Sequence, residues 1–347
     1  MAKNILILSD SEQPELIAAA KKLGHKAVRV PVGAIGLGLA STPKGFDRIY
    51  MTDADYKQYI NEPDFDVDCV LCRGGLKGLH GLAVVRHFEE NLGIACSHNA
   101  EGIANCTSQL ATLQKLSSAK IRIPETRFIY NNDLLVNMVD SLGGLPLIVK
   151  ALFGSQGKGV FSIKDNEALF WAFQSFQNAE MPIILQRKIE TEKTKDGRTN
   201  DIRIWIVGGK FCTAMRRYSN PDDFRANASI SGKCEYYEPS EEEIAMAIAA
   251  ANAVGLGDSI VGVDVMKDDT HTYVIECNSN PGTTYIKTVS KIDVFEAMIN
   301  FITNKAKNKP KKIRVFNATS ASNKLHLGLK YDVLRAKLSF ANNEPIF

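Results

Sequence analysis

Long apolar runs are missing from this sequence, and nothing in it approaches the roughly 20 residues a membrane helix needs. A dominant charge of one sign is missing too. The formal net charge is +3 over 347 residues, which gives no reason to expect a nucleic-acid or membrane surface. Paired metal-ligand spacings are also absent. The seven cysteines are odd in number and scattered, which argues against a disulfide framework and fits reduced thiols in a reducing compartment. Cys69 and Cys72 form one CxxC, but it lies in the strand-like VDCVLC. Residues three apart on a strand face opposite sides, and no second pair completes a zinc site, so both are expected to be buried and structural. MAKN leads directly into the apolar run Ile5 to Leu8 without an extended signal-like region, and the expected location is the cytoplasm. There is no internal repeat.

What is present is enough material for real cores. With 45% hydrophobic and 23% charged residues, the chain can form two or three compact units. In the first third, strand and helix patterns alternate. Ile5 to Leu8 reads as a buried strand, followed by a helix opened by Pro14 with Leu16, Ile17, Ala20 and Leu23 on one face and Gly24 at its stop. A second such unit follows Val67 to Leu71, with Leu82, Val85, Phe88 and Leu92 as its stripe. These predict a small α/β domain with a parallel sheet over residues 1–97. Residues 33–40 are glycine-rich without periodicity and read as loop. A helix over about 99–119 then leads into an α+β unit to about residue 190. That unit holds the strands Leu147 to Leu152, Val160 to Ile163 and Ile183 to Gln186, with a helix over about 166–178. After the hydrophilic 191–200 come the strand DIRIWIV, a turn at Gly208 and Gly209, a helix around 240–254, a hairpin over about 260–278 and a last helix near 292–305. That second α+β unit is taken as 191–308, and 309–347 as an extension.

The hairpin carries the strongest chemistry. Closing IVGVDVM on TYVIECN symmetrically over Thr270 sets Asp264 opposite Glu276, with Asn278 on the same face. Val263, Val265, Ile275 and Cys277 then fall on the other face, available for a core. Two opposed carboxylates repel unless a cation lies between them. Magnesium suits this, because it takes one or two protein carboxylates and fills its octahedron with waters and phosphates; a solvated acidic edge is the alternative. The second signal is LIVKALFGSQGKGV, in which a strand delivers Lys150 and Gly154, Gly157 and Gly159 follow in a loop. Their backbone amides can approach phosphate oxygens closely, and the pattern is neither the Walker motif nor the dinucleotide fingerprint. An ordinary hairpin turn is the alternative there.

In this order, the signals resemble the RimK-type ATP-grasp ligases, a family similar to the enzyme that adds glutamates to the C-terminus of a ribosomal protein. The resemblance runs over about residues 3–305. It rests on CRGG at 72–75, GGLPLIVKALFGSQGKGV at 143–160, DIRIWIVGGK at 201–210, DFRAN at 223–227, GVDVM at 262–266 and IECNSNPG at 275–282. It implies an N-terminal α/β domain and two α+β subdomains that grip ATP. It also implies that Lys150 contacts phosphates, that Gly154, Ser155, Gln156, Gly157 and Gly159 belong to a lid, and that Gln186, Arg187, Lys188 and Ile189 meet adenine through backbone. Asp264, Glu276 and Asn278 would hold Mg2+, or Mn2+. Arg203, Arg217, Arg225 and Asn227 would line the reaction centre, where guanidinium groups suit an acyl phosphate. The implied partners are an amino-acid donor and a carboxylate or peptide acceptor, with a homo-oligomer conceivable.

Two departures stand out. Gln109 occupies the position where relatives usually carry a lysine, and Arg187 follows Gln186 where an acidic residue is common. The extension lies beyond the resemblance. Its KAKNKPKKIR at 305–314 reads as a solvated basic end, with an acidic acceptor as the sharper partner. IRVF at 313–316 and LKYDVLRAKL at 329–338 suggest that it docks, with a neighbouring subunit as one host. A small-molecule kinase on the same fold and a non-catalytic nucleotide-binding protein are the competing functions.

Overall fold

The computed structural model describes residues 1–39, 48–61, 65–152, 159–179, 181–191, 194, 197–220, 223–226, 233–308 and 311–317. The first strands are β1 (Asn4–Leu8), β2 (Lys26–Val30), β3 (Gly36–Gly38), β4 (Arg48–Met51), β5 (Asp66–Val67), β6 (Cys69–Cys72) and β7 (Ala95–Cys96). Of these, β2-β1-β6-β7 form a sheet whose neighbours all run parallel. Parallel strands covered on both faces should be apolar throughout, and alternate residues here feed two separate cores. Leu6, Leu8, Val70 and Cys72 join one, while Ile5, Ile7, Cys69 and Leu71 join the other. The CxxC cysteines are thus buried on opposite faces, and burial pushes both thiols up to about 12. All seven cysteines are free.

The helix expected over 99–119 is two helices, Ala100–Thr107 and Gln109–Ser118. Ser108 breaks it by taking extended backbone (φ −97°, ψ 120°) and accepting the Ala111 N–H on its side chain, which makes it an N-cap. Gln109 therefore starts a helix. The central sheet has β8 (Thr126–Ile129), β9 (Leu147–Ala151), β10 (Val160–Ile163) and β11 (Ile183–Arg187) in the antiparallel order β10-β9-β11-β8. Helix Asn166–Asn178 covers one face, with Leu169 and Phe173 in the core beside Val149 and Leu185. The other face carries Ile148, Lys150 and Gln186 toward a cleft.

The next sheet contains β12 (Asn200–Val207), β13 (Lys210–Tyr218), β14 (Cys234–Tyr236), β15 (Ile260–Lys267) and β16 (Thr272–Asn278), ordered β14-β13-β12-β15-β16. The nine-residue β13 is a strand that the sequence pattern did not announce. Helix Glu241–Ala253 backs this sheet, opened by a capping box between Ser240 and Glu243. Helix Val294–Asn308 packs Val294, Met298, Ile299, Ile302 and Ala306 into the core that also holds Ile5, Leu71, Trp205 and Met215, and so bonds the parallel sheet to this one. Among the described residues, no helix is long and apolar enough to cross a membrane.

Two further expectations differ from the structure. Residues 33–40 are not all loop, since β3 pairs with β4. IRVF, which had a neighbouring subunit as one host, docks on its own chain: it forms β17 (Ile313–Asn317), parallel to β4 and antiparallel to β5. Val315 is buried there among the residues of the N-terminal core. LKYDVLRAKL lies outside the described residues.

Candidate active site

The central sheet and the following sheet face each other across a cleft of about 570 Å³. One wall is a set of charged rungs. Met215, Arg203, Asp264 and Glu276 stand side by side across β13, β12, β15 and β16, and Arg217 pairs with Asp201 two residues along. Paired residues on adjacent strands share a face, so alternation alone brings these side chains together. Arg203 donates Nε and Nη2 to the two Asp264 oxygens at 2.6 and 2.7 Å. Arg217 donates to Asp264 Oδ2 at 2.8 Å and, through two nitrogens, to Asp201 at 2.6 Å each. Gly262, two residues before Asp264 on β15, is required by space. A Cβ there would lie 2.9 Å from Pro281 Cβ and 3.4 Å from Arg203 Cδ.

The charges on this wall are largely matched within it. Burial pushes the Asp264 carboxyl up, but Arg203 and Arg217 outweigh it and hold the group below the usual range. Asp201 is pushed up to about 6 by burial, with Arg217 opposing. Glu276 differs from both. Burial and then the Asp264 charge raise its carboxyl, and its hydrogen-bond donor is the Asn278 amide at 3.0 Å.

The hairpin register agrees with expectation at Asp264↔Glu276, yet it is not symmetric throughout. A bulge follows, and Val265 pairs with Val274. As a result Ile275 lines the cleft beside Glu276, and Val274 takes the core position expected for Ile275. A bulge puts two successive residues against one partner and re-aims a side chain. The opposed carboxylates also find a cation that the sequence reading did not supply, since Asp264 is neutralised by two arginines.

The opposite wall is mostly apolar. Ile148, Ala151 and Val160 line it around Lys150, which is 8% exposed. Burial lowers the Lys150 ammonium to about 8, while the Glu276 charge opposes that shift. Lys150 and Glu276 thus join the two walls electrostatically. Gln186, Arg187, Lys188 and Ile189 line the same cleft. The Gln186 amide donates to Thr126 Oγ1 at 2.9 Å, and the Arg187 N–H to the Glu125 carbonyl at 2.9 Å. Gly159 has φ +75° and sits where β10 begins, with its missing Cβ space 3.0 Å from Ala151 Cβ. Gly154, Ser155, Gln156, Gly157 and Asn227 lie outside the described residues. Arg225 lines the cleft and donates Nη2 to Asp223 at 2.8 Å.

Residues not singled out from sequence also line the cleft: Asp201, Lys77 and Asn280. Asp201 was legible, being two residues from Arg203 on a strand. Asp264, Glu276 and Asn278 offer two carboxylates and an amide oxygen, a hard donor set that fits Mg2+. The raised Glu276 carboxyl beside Asp264 marks a charge that a cation there would relieve. Among the described residues, no three His, Cys, Asp or Glu side chains cluster as a metal site.

Two sheets closing on a cleft, with a lysine on one and an acidic hairpin on the other, place the fold among the ATP-grasp ligases. A RimK domain protein of the ATP-grasp class from Sphaerobacter thermophilus superposes with a TM-score of 0.60 at 18% identity, over 86% of this chain and 99% of its own. The RimK-like ATP-grasp domain family matches residues 106–302. Curated relatives include a probable alpha-L-glutamate ligase from Vibrio parahaemolyticus, 33% identical over 74% of this chain and 83% of the relative. Another, probable alpha-L-glutamate ligase 1 from Pseudoalteromonas atlantica, is 33% identical over 73% of this chain and 81% of its own length. The chain belongs to the RimK-like ATP-grasp family and is an ATP-dependent, ADP-forming ligase.

Proposed function

We propose that the protein activates a carboxylate with ATP and joins it to the amine of an amino acid, with glutamate the first candidate. The acceptor would be a peptide, a protein C-terminus or a small carboxylate. Glutamate enters through the names of the relatives. The observation that carries the reading is the meeting of Lys150 with the Arg203–Asp264–Glu276 row in one cleft. In domain terms, we divide the chain into 1–97, 98–190, 191–308 and 309–347.

The chemistry follows from what a carboxylate lacks. Its departing oxygen would be an oxide, so it must first become part of a leaving group. A carboxylate oxygen attacks the terminal phosphorus of ATP, the bond to ADP breaks, and an acyl phosphate results. The amine nitrogen then attacks the acyl carbon, phosphate leaves with the bonding electrons, and the amine loses a proton. Lys150, protonated below about pH 8, would neutralise phosphate oxygens. Backbone groups of residues 186–189 would orient the adenine, with Ile148 and Ile189 as apolar cover. Arg203, Arg217 and Arg225 would hold the acyl phosphate and the tetrahedral species that follows, since guanidinium groups offer paired N–H donors that match such anions. Asp264, Glu276 and Asn278 would hold Mg2+, which when bound neutralises phosphate charge during transfer. Arg203 and Arg217 are committed to Asp264 here, so work on a substrate anion requires them to exchange partners.

Hydroxylamine tests this reading. Protein, ATP, Mg2+, hydroxylamine and a panel of amino acids and acidic peptides should give ADP, phosphate and an acyl hydroxamate. AMP with pyrophosphate would overturn it, and a stable phosphorylated alcohol would point to a kinase.

A further inference from the structure

The cations that line the cleft fall into two groups. Arg203 and Arg217 are matched to Asp201 and Asp264, Arg225 to Asp223 and Lys188 to Glu190. Lys150 feels Glu276. Lys77 stands apart: it is exposed, lines the cleft, and has no hydrogen bond or ion pair among the described residues. The Arg187 side chain is likewise exposed in the cleft, but it belongs to the β11 end that the adenine segment continues. Lys77 comes from the parallel sheet instead, five residues beyond the end of β6.

The segment that carries Lys77 is built for a ligand position. Ligands of parallel α/β sheets bind outside the carboxyl ends of the strands, and Lys77 sits in the turn between β6 and helix Leu79–Arg86. Gly75 in that turn has φ +71°, and its missing Cβ space is filled by the Asp10 carboxylate. Four residues before Lys77, Arg73 is 5% exposed and donates Nη2 to the Pro281 carbonyl at 3.0 Å. Among the described residues its Nε and Nη1 have no partner and no carboxylate pairs with it. Arg73 thus ties this turn to the segment whose Asn280, Gly282 and Thr284 line the cleft. It also leaves a second unmatched positive charge behind it. An unpaired buried guanidinium is costly, and a nearby anion offsets that cost.

We propose that Lys77 is a specificity-determining residue that contacts a substrate carboxylate other than the one being activated, and that it selects acidic substrates. The idea rests on the ligase reading above and adds the class of substrate that the N-terminal unit recognises. A polyphosphate oxygen has the same charge chemistry, so the experiment separates the two sources.

The test is equilibrium binding to the full chain in the presence of ADP and Mg2+, comparing glutamate with its neutral isostere glutamine, each free and at the end of a short peptide. The wild type should prefer the acid. Lys77→Met should reduce that preference by about tenfold or more, as loss of a charge-assisted hydrogen bond implies, with ADP affinity unchanged. Lys77→Arg should retain it. Weaker ADP binding with an unchanged glutamate-to-glutamine ratio would overturn the proposal, as would no change in either. Binding decides this without turnover, so failure of the ligase reading shows separately as a wild type that forms no hydroxamate.

Discussion

The two walls of the cleft solve different problems. The wall from β12, β13, β15 and β16 concentrates charge and matches most of it internally, with Asp201, Arg217, Asp264 and Arg203 in one hydrogen-bonded network. The wall from β9, β10 and β11 is mostly apolar around the buried Lys150. A buried charge with partners can be held rigidly, whereas one without them is under pressure to discharge. The difference teaches that the first wall is suited to holding charged groups in a fixed geometry. The second is suited to gripping a ligand that brings its own charge.

The largest effect should come from the charged wall. Glu276→Ala should lower turnover by about a thousandfold while the fold persists, the scale of removing an electrostatic element that acts in the transition state. Kinetics beside a thermal melt check this, and near-normal activity would break the division of labour. Next, Arg217→Met should cost roughly 3 to 5 kcal/mol of stability, because it strips the buried Asp201 and Asp264 of a shared partner. Denaturant unfolding measures it. The same change at the more exposed Arg225 should cost far less, and equal losses would mean that burial is not what distinguishes the network.

On the apolar wall, Lys150→Met should weaken ATP binding by roughly 1.5 to 3 kcal/mol, read by calorimetry. The pH dependence sharpens this. Lys150 loses its proton near pH 8 when folded and near pH 10.5 when unfolded. Between those values the unfolded chain holds more protons, so stability of the ligand-free protein relative to Lys150→Met should rise with pH. ATP affinity should fall over the same range as the ammonium discharges. Parallel trends in the two quantities would contradict the assignment. The smallest effect is expected at Gln109, whose side-chain oxygen is buried without a donor among the described residues. Gln109→Lys should tighten ATP binding by up to about 1.5 kcal/mol, the low end of a charged hydrogen bond. Unchanged or weaker binding would show that the position lacks no charge.

Much of this was legible because local patterns fix it. A hairpin assumed symmetric over Thr270 opposed Asp264 and Glu276, a pair the structure reaches through a bulge, and doubly apolar strands announced a parallel sheet whose cysteines face apart. The family motifs located Lys150, Arg203, Arg217 and Arg225 in the cleft. What was not legible depended on tertiary context. A bulge has no strong signature in TYVIECN, so Ile275 was placed in the core. Ser108 looks like one more residue of a long helix until its side chain is seen capping the next one. The pairing of Asp264 with two arginines needed the order of three strands, β13-β12-β15. Lys77 is an ordinary surface lysine in sequence, and only the packing of the parallel sheet against the Asn280–Tyr285 segment brings it to the cleft.

The strand β17 has a consequence for synthesis. It lies between β4 and β5 in its sheet, and Arg314 donates to Asp66 across 248 residues of chain. The early strands β4 and β5 therefore emerge from the ribosome without the strand that joins them. At about 5 to 20 residues per second, their neighbour follows only after tens of seconds, when the rest of the described molecule has been made. During that interval both strands present open edges, which invite pairing with other chains. The last described strand thus acts as a late closure, and nascent chains halted before it should be the aggregation-prone species of this protein.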